Sequence, residues 1–123
     1  MKPKTIKILY WIVTILFSLF MILAGISEFL HTESADKVIT DLGYPLYFNT
    51  IIGIAKILGA IVLLVPSFKI LKEWAYAGFT IDMVGAIFSY ALHGEGIQSI
   101  LGPLPFLAIM FISYFLWKKT KNN

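Results

Sequence analysis

The sequence predicts an all-α membrane protein: a single domain, residues 1–123, forming a four-transmembrane-helix antiparallel bundle with both termini cytoplasmic. Three observations predict it. Apolar residues fill 59% of the 123 positions, above the roughly 45–50% usual in soluble domains, and mean hydropathy is +0.83. The apolar residues gather into four runs near the ~20 residues that a helix needs to cross a bilayer. The lysines, finally, alternate between the connections in a way that only four crossings explain.

The first span runs approximately over residues 8–30, behind Lys2, Lys4 and Lys7. These lysines resemble the start of a signal peptide, but the apolar run is too long and no A-x-A-like cleavage site follows, so the segment is expected to stay. Next, "SADKVITDLG" predicts a short interfacial helix with Ser34 as N-cap, Asp36 in its first turn, and Val38, Ile39 and Leu42 as its apolar stripe. "LGYP" (Leu42–Pro45) closes that loop, because Gly43 tolerates left-handed geometry and Pro45 disfavours helix at Tyr44. The second span covers about 47–65 and stops at Pro66; the third covers about 74–92 and ends at the turn "HGEG" (His93–Gly96). The fourth covers about 100–117, with Pro103 in the opening turn, where proline is best tolerated, and Pro105 placed to bend the helix. The last three spans are short and are expected to run with little tilt.

Lys69 and Lys72 join spans two and three, and Lys118, Lys119 and Lys121 follow span four. With the three N-terminal lysines, eight of the ten lie on one side. The other loops hold Glu33, Asp36, Asp41 and Glu95 against Lys37 alone. Basic residues stay on the cytoplasmic side of the cell membrane, which accounts for the net charge of +3 without any nucleic acid. Trp11, Trp74 and Trp117 fall near the same ends, as an aromatic belt. The chain has no cysteine, which excludes disulfides, thiolate metal sites, iron–sulfur ligation and covalent haem attachment.

Lys56 interrupts the second span. At 1.5 Å per residue it lies about 13 Å from the outer end of that helix, and Asp82 lies about 15 Å from the outer end of the third. Antiparallel neighbours bring these charges to matching depth. Each alone costs roughly 2.5–3.5 kcal/mol at the bilayer centre, and a facing pair largely removes that penalty. Helical phase puts Ala75, Gly78, Asp82, Gly85, Ala86, Ser89 and His93 on one stripe of span three. Asn49, Gly53, Lys56 and Ala60 align on span two, and Thr14, Ser18, Gly25 and Glu28 on span one. Small residues on these stripes predict close packing without a cavity, with the stripes turned inward and Leu, Ile, Val and Phe facing lipid. The seam widens at its outer end, where Glu28, His31, Asn49, Ser89, Tyr90, His93 and Glu95 cluster.

Two readings of this seam stay open. Lys56 and Asp82 form a clamp that sets helix register, or a proton or ligand site. Glu28 is a solvated helix-end residue paired with His31 one turn on, or it lines an outward pocket with Asn49 and His93. His31 and His93 lie at the rim, which does not suit bis-histidine haem. Ser89 has no base–acid partners and reads as a packing hydroxyl. "WAYAG" (Trp74–Gly78) reads as anchoring and packing rather than a quinone site.

From Leu42 to Gly94 the chain resembles the DoxX-like family of small four-span membrane proteins. The resemblance rests on the turn Leu42–Pro45, then Gly53, Ala55–Lys56, Leu58–Gly59, Pro66, Lys72–Gly78, Asp82 and Gly85–Ala86. "LFMILAGISEF" in span one adds a looser match. The family often has a serine-histidine pair where this chain has Ser89–Tyr90, with His93 following one turn on; a role built on that histidine does not transfer to Tyr90. The founding members look like subunits of a thiosulfate:quinone oxidoreductase, and relatives are linked to redox stress or to assembly of other membrane proteins. The resemblance therefore implies a non-catalytic membrane subunit or assembly partner, with the lipid bilayer, another membrane protein or a second copy as its company. The alternative is a protein that binds a quinone-like or other amphipathic molecule in a pocket of Lys56, Asp82, Glu28, Asn49, Ser89, Tyr90 and His93. The residues offer no catalytic constellation and no metal site. With no redox centre of its own, the chain would need a borrowed cofactor such as a quinone, or a partner, for any electron transfer. A carrier would need inverted repeats or broken helices that are not present.

Overall fold

The computed structural model describes residues 2–94 and 101–121, the last by its backbone alone. Its helices are α1 (Pro3–Phe29), α2 (Glu33–Asp41), α3 (Tyr47–Leu64), α4 (Lys69–His93) and α5 (Leu104–Lys121), and no strand occurs among the described residues. Pro3 opens α1, where its missing N–H would have had no partner. α2 is capped by Thr32, whose hydroxyl accepts from the Ala35 N–H, instead of by Ser34. His31 in the left-handed region (φ 56°) reverses the chain after α1, which leaves Thr32 extended in the capping position. Gly94, at φ 84°, closes α4. Glu95, Gly96 and Ile100 lie outside the described residues.

Two boundaries move. α4 begins at Lys69 and is 25 residues long, longer than the segment expected from Trp74, because Lys69–Glu73 continue the helix. α5 begins at Leu104, after a turn at Gly102 and Pro103, so Pro105 sits where no helical hydrogen bond is lost. α1, α3 and α4 are long and apolar enough to cross a membrane, by length and composition. α5 carries Lys118, Lys119 and Lys121 in its last turn.

α1 packs on α3 and α5, α3 on α4, and α4 on α5. The core runs through Tyr10, Phe17 and Met21 of α1, Ala60 and Leu63 of α3, Tyr76, Phe79 and Met83 of α4, and Met110 and Trp117 of α5. Phe17 meets Phe79 edge-on at 5.2 Å between ring centres. Large apolar side chains such as Leu23, Ile70, Ile81 and Leu92 stay exposed, a surface that lipid covers at no cost and water does not.

Glycines behave in two opposite ways. Where α1 crosses α3, a Cβ on Gly53 would sit 2.6 Å from the Gly25 carbonyl, and one on Gly25 would sit 2.8 Å from the Gly53 carbonyl. That contact is the close approach the small residues predict. Gly78 and Gly85 of α4 face open space, with nothing within 4 Å of an added Cβ. There the expectation of tight packing fails. α4 turns Lys72, Tyr76, Phe79 and Met83 inward, because the large side chains of that stripe fill the core and the stripe of small residues, about 100° away, cannot.

Gly53→Ala is expected to lower stability by about 1–3 kcal/mol through overpacking at the crossing. Gly78→Ala is expected to be neutral or stabilising by up to ~1 kcal/mol through helix propensity. Thermal denaturation of the two purified variants checks the contrast, and equal losses would contradict it.

Candidate functional site: a cleft between α3 and α4

The small-residue stripe of α4 that finds no place in the core lines a cleft instead. The cavity has a volume of about 840 Å³ and reaches from Trp74 to Tyr90 along α4, roughly 24 Å at 1.5 Å per residue. Ala75, Gly78, Asp82, Gly85 and Ala86 form one wall, and Phe48, Asn49, Ile52, Lys56 and Gly59 of α3 form the other. α2 covers one end with Ala35, Val38 and Ile39. The walls are mostly apolar, and the charges gather at mid-length.

Lys56 lies between two carboxylates. Its Nζ donates to Glu28 Oε1 at 2.5 Å and stands 3.6 Å from Asp82 Oδ2. The expected opposition of Lys56 and Asp82 is present, but the nearer partner is Glu28. The reason is the glycine crossing: it brings α1 against α3 so closely that Lys56 Cβ lies 3.2 Å from the Cβ position of Gly25, within reach of Glu28 one turn on. Asp82, with a shorter side chain, faces Lys56 across the wider α3–α4 gap. It is the most open of the three at 28% side-chain exposure, against 14% for Glu28. Lys56, Asp82, Ala24, Ala86 and Tyr90 also line a second cavity of about 560 Å³, which Phe20 of α1 and Phe106 of α5 bound on the far side. The charge cluster is therefore part of the wall between two cavities.

At the α2 end, Asn49 is fully buried and its Nδ2 donates to Asp36 Oδ1 at 3.1 Å. His31 stands with Nδ1 3.0 Å from the same oxygen and Nε2 2.7 Å from Thr50 Oγ1. His31 thus ties α2 to α3 and is not the partner of Glu28. Desolvation works to raise the Asp36 carboxyl, but the hydrogen bonds from Asn49 and His31 outweigh it and hold the group below its ordinary value. Asn49 Oδ1 has no hydrogen-bond partner among the described residues. Ser89 bonds Tyr44, whose ring stacks on Phe48 at 4.7 Å.

Of the seven residues singled out in the sequence, Lys56, Asp82, Glu28, Asn49, Ser89 and Tyr90 line the cleft. His93 does not; it is exposed in the last turn of α4. Trp74 is 72% exposed at the far end of the cleft, whereas Trp117 is buried and Trp11 half-buried in the core. Of the three tryptophans expected in an aromatic belt, only Trp74 presents its ring to the surroundings. Sequence reasoning also missed Lys72. Counted as a loop lysine, it is 1% exposed, donates to the Tyr10 hydroxyl at 2.7 Å and lies over the rings of Trp11 and Trp117. Beneath it the hydroxyls of Thr14, Ser113 and Tyr76 join in one buried chain. The available signal was phase: Lys72 shares its helical face with Tyr76, Phe79 and Met83. Among the described residues no His, Asp and Glu side chains group as a metal site.

The DoxX-like family matches residues 12–113 of the chain. No curated protein and no solved structure matches it.

The geometry ranks the two carboxylates. Glu28→Gln removes the close partner of a part-buried ammonium and is expected to cost about 3 kcal/mol. Asp82→Asn removes the distant and more exposed one and is expected to cost no more than about 1 kcal/mol. Unfolding midpoints of both variants in one detergent measure the order; a larger loss for Asp82→Asn would overturn it.

Proposed function

We propose that this chain, which belongs to the DoxX-like family, is a four-span protein of the cytoplasmic membrane that binds an amphipathic molecule in the cleft between α3 and α4. The cleft carries this reading. Its volume of about 840 Å³ lies within the roughly 300–1,000 Å³ range of small-molecule sites, and apolar walls with a few convergent polar groups are the usual composition of such sites. The tail of the molecule would lie along Ala75, Gly78, Ile52 and Phe79, and its head would meet the Glu28–Lys56–Asp82 cluster. Glycines that pack against nothing support the reading further, since a helix wall without side chains leaves room for an occupant. A subunit or assembly role keeps the family resemblance as its support. The exposed apolar faces that would dock a partner are also what lipid requires, so they favour neither reading, and the cleft supports the binding one. A quinone is one amphipathic molecule of suitable shape.

Solvent extraction of the purified protein, followed by mass spectrometry, tests the reading. About one lipid-soluble molecule per chain is expected. Gly85→Leu, which fills the cleft at a position with open space around it, is expected to lose that molecule while keeping its helical content. A wild-type protein that carries nothing and takes up no added amphiphile would sink the proposal.

The four-span topology, with both termini and the α3–α4 connection cytoplasmic, is supported by the lysine pattern and by α1, α3 and α4. Because the chain has no cysteine, single cysteines report it directly. Glu33→Cys is expected to react with an impermeant maleimide on intact cells, and Lys4→Cys and Ser67→Cys only after permeabilisation. Labelling of all three from outside would refute the orientation.

A further inference from the structure

Resting on the cleft-binding reading, we propose that the head of the occupant is a hydrogen-bond-donating cation, an amine on a lipophilic tail, and that Asp82 receives it. The charge inventory is the first ground. Lys56 is the one lysine among the described residues that line the cleft, and it stands beside two carboxylates, Glu28 and Asp82. With all three ionised the formal sum is −1, and low-dielectric surroundings make an uncompensated charge costly. A second cation balances the cluster.

Geometry says which carboxylate is available. Glu28 holds Lys56 at hydrogen-bond distance. Asp82 has Lys56 at 3.6 Å, too far for a hydrogen bond, and no other ion pair or hydrogen bond to it is found among the described residues. It is also the most exposed member of the cluster and faces both cavities. An ammonium that comes alongside finds a carboxylate with lone pairs to spare.

The α2 end adds an independent observation of the same sign. Asn49 lines the cleft with its side chain fully buried, and its Oδ1 has no partner among the described residues. Its amide is oriented by the bond from Nδ2 to Asp36, because a carboxylate oxygen only accepts. The orphan atom is therefore the carbonyl oxygen, an acceptor. Asp82 and the Asn49 carbonyl oxygen thus both accept hydrogen bonds. A carboxylate or phosphate head would meet like charge at Glu28 and Asp82. A neutral carbonyl head needs a donor, and Lys56 is turned to its two acidic neighbours.

Tail-matched probes separate the head from the cleft. The purified full-length protein, in uncharged detergent at neutral pH, is loaded with an environment-sensitive apolar fluorophore and titrated with dodecylamine, dodecanol or dodecanoate. Dodecylamine is expected to displace the dye at roughly tenfold lower concentration than the other two. In Asp82→Asn it is expected to fall to the level of dodecanol, with dodecanol unchanged. Gly85→Leu is expected to lose all three. Should Asp82→Asn not fold, the wild-type order alone decides. If dodecanoate or dodecanol matches the amine, and Gly85→Leu abolishes their binding, the cation proposal falls while the cleft reading stands. An amine preference that survives in Asp82→Asn overturns the assignment to Asp82. If no probe displaces the dye and Gly85→Leu changes nothing, the cleft reading fails and takes this proposal with it.

Discussion

A lysine ammonium among apolar helices depends on the acids beside it, and much of this architecture follows from how Lys56 obtains them. One acid, Glu28, comes from the helix that packs most closely on α3; the other, Asp82, comes from α4, across the cleft. The first contact needs the glycine crossing, since only hydrogen at Gly25 and Gly53 lets two backbones approach so far. The second spans a gap, and the gap is the cleft. A single cation thus joins the tightest interface of α3, with α1, to the cleft it shares with α4.

The two ends of the molecule divide the work in a similar way. Near the lysine-rich end the space between α1, α4 and α5 is filled: Lys72 lies over Trp11 and Trp117, Glu73 pairs with Lys118, and the Thr14–Ser113–Tyr76 chain satisfies the hydroxyls inside. Toward α2 the helices part, and the gap is closed by a short amphipathic helix held through His31, Asp36, Asn49 and Thr50. Aromatic rings make the first end rigid because they bury much area with few rotatable bonds. Small residues on α4 leave its side toward α3 hollow from Trp74 to Tyr90. A binding function fits such a division, in which one end sets the helix spacing and the other uses it.

A polar stripe on a membrane helix admits two readings, and α4 shows why they differ. Ala75, Gly78, Asp82 and Gly85 share a face, and that face was expected to be the packed one. The neighbouring face, with Tyr76, Phe79 and Met83, has the volume that a core needs. Dispersion and close packing favour burying the larger side chains, so the small stripe was left to line a cavity. Small residues mark where something can come close, and whether that is a helix or a ligand depends on the competing face.

The sequence by itself determined the helical class, the apolar segments, the α2 turn of helix and six of the polar residues that line the cleft, because length, hydropathy and helical phase are local properties. Even Lys56 facing Asp82 was legible, as charges of opposite sign in apolar helices must find each other. Tertiary structure alone decided that Glu28 is the nearer partner, that Lys72 is core and not loop, that His93 stays out of the cleft, and that the cleft exists. The first turns on how closely two helices cross at Gly25 and Gly53, and the burial of Lys72 and the cleft turn on which of two adjacent faces of α4 buries more volume. That is settled between helices, and no single helix records it.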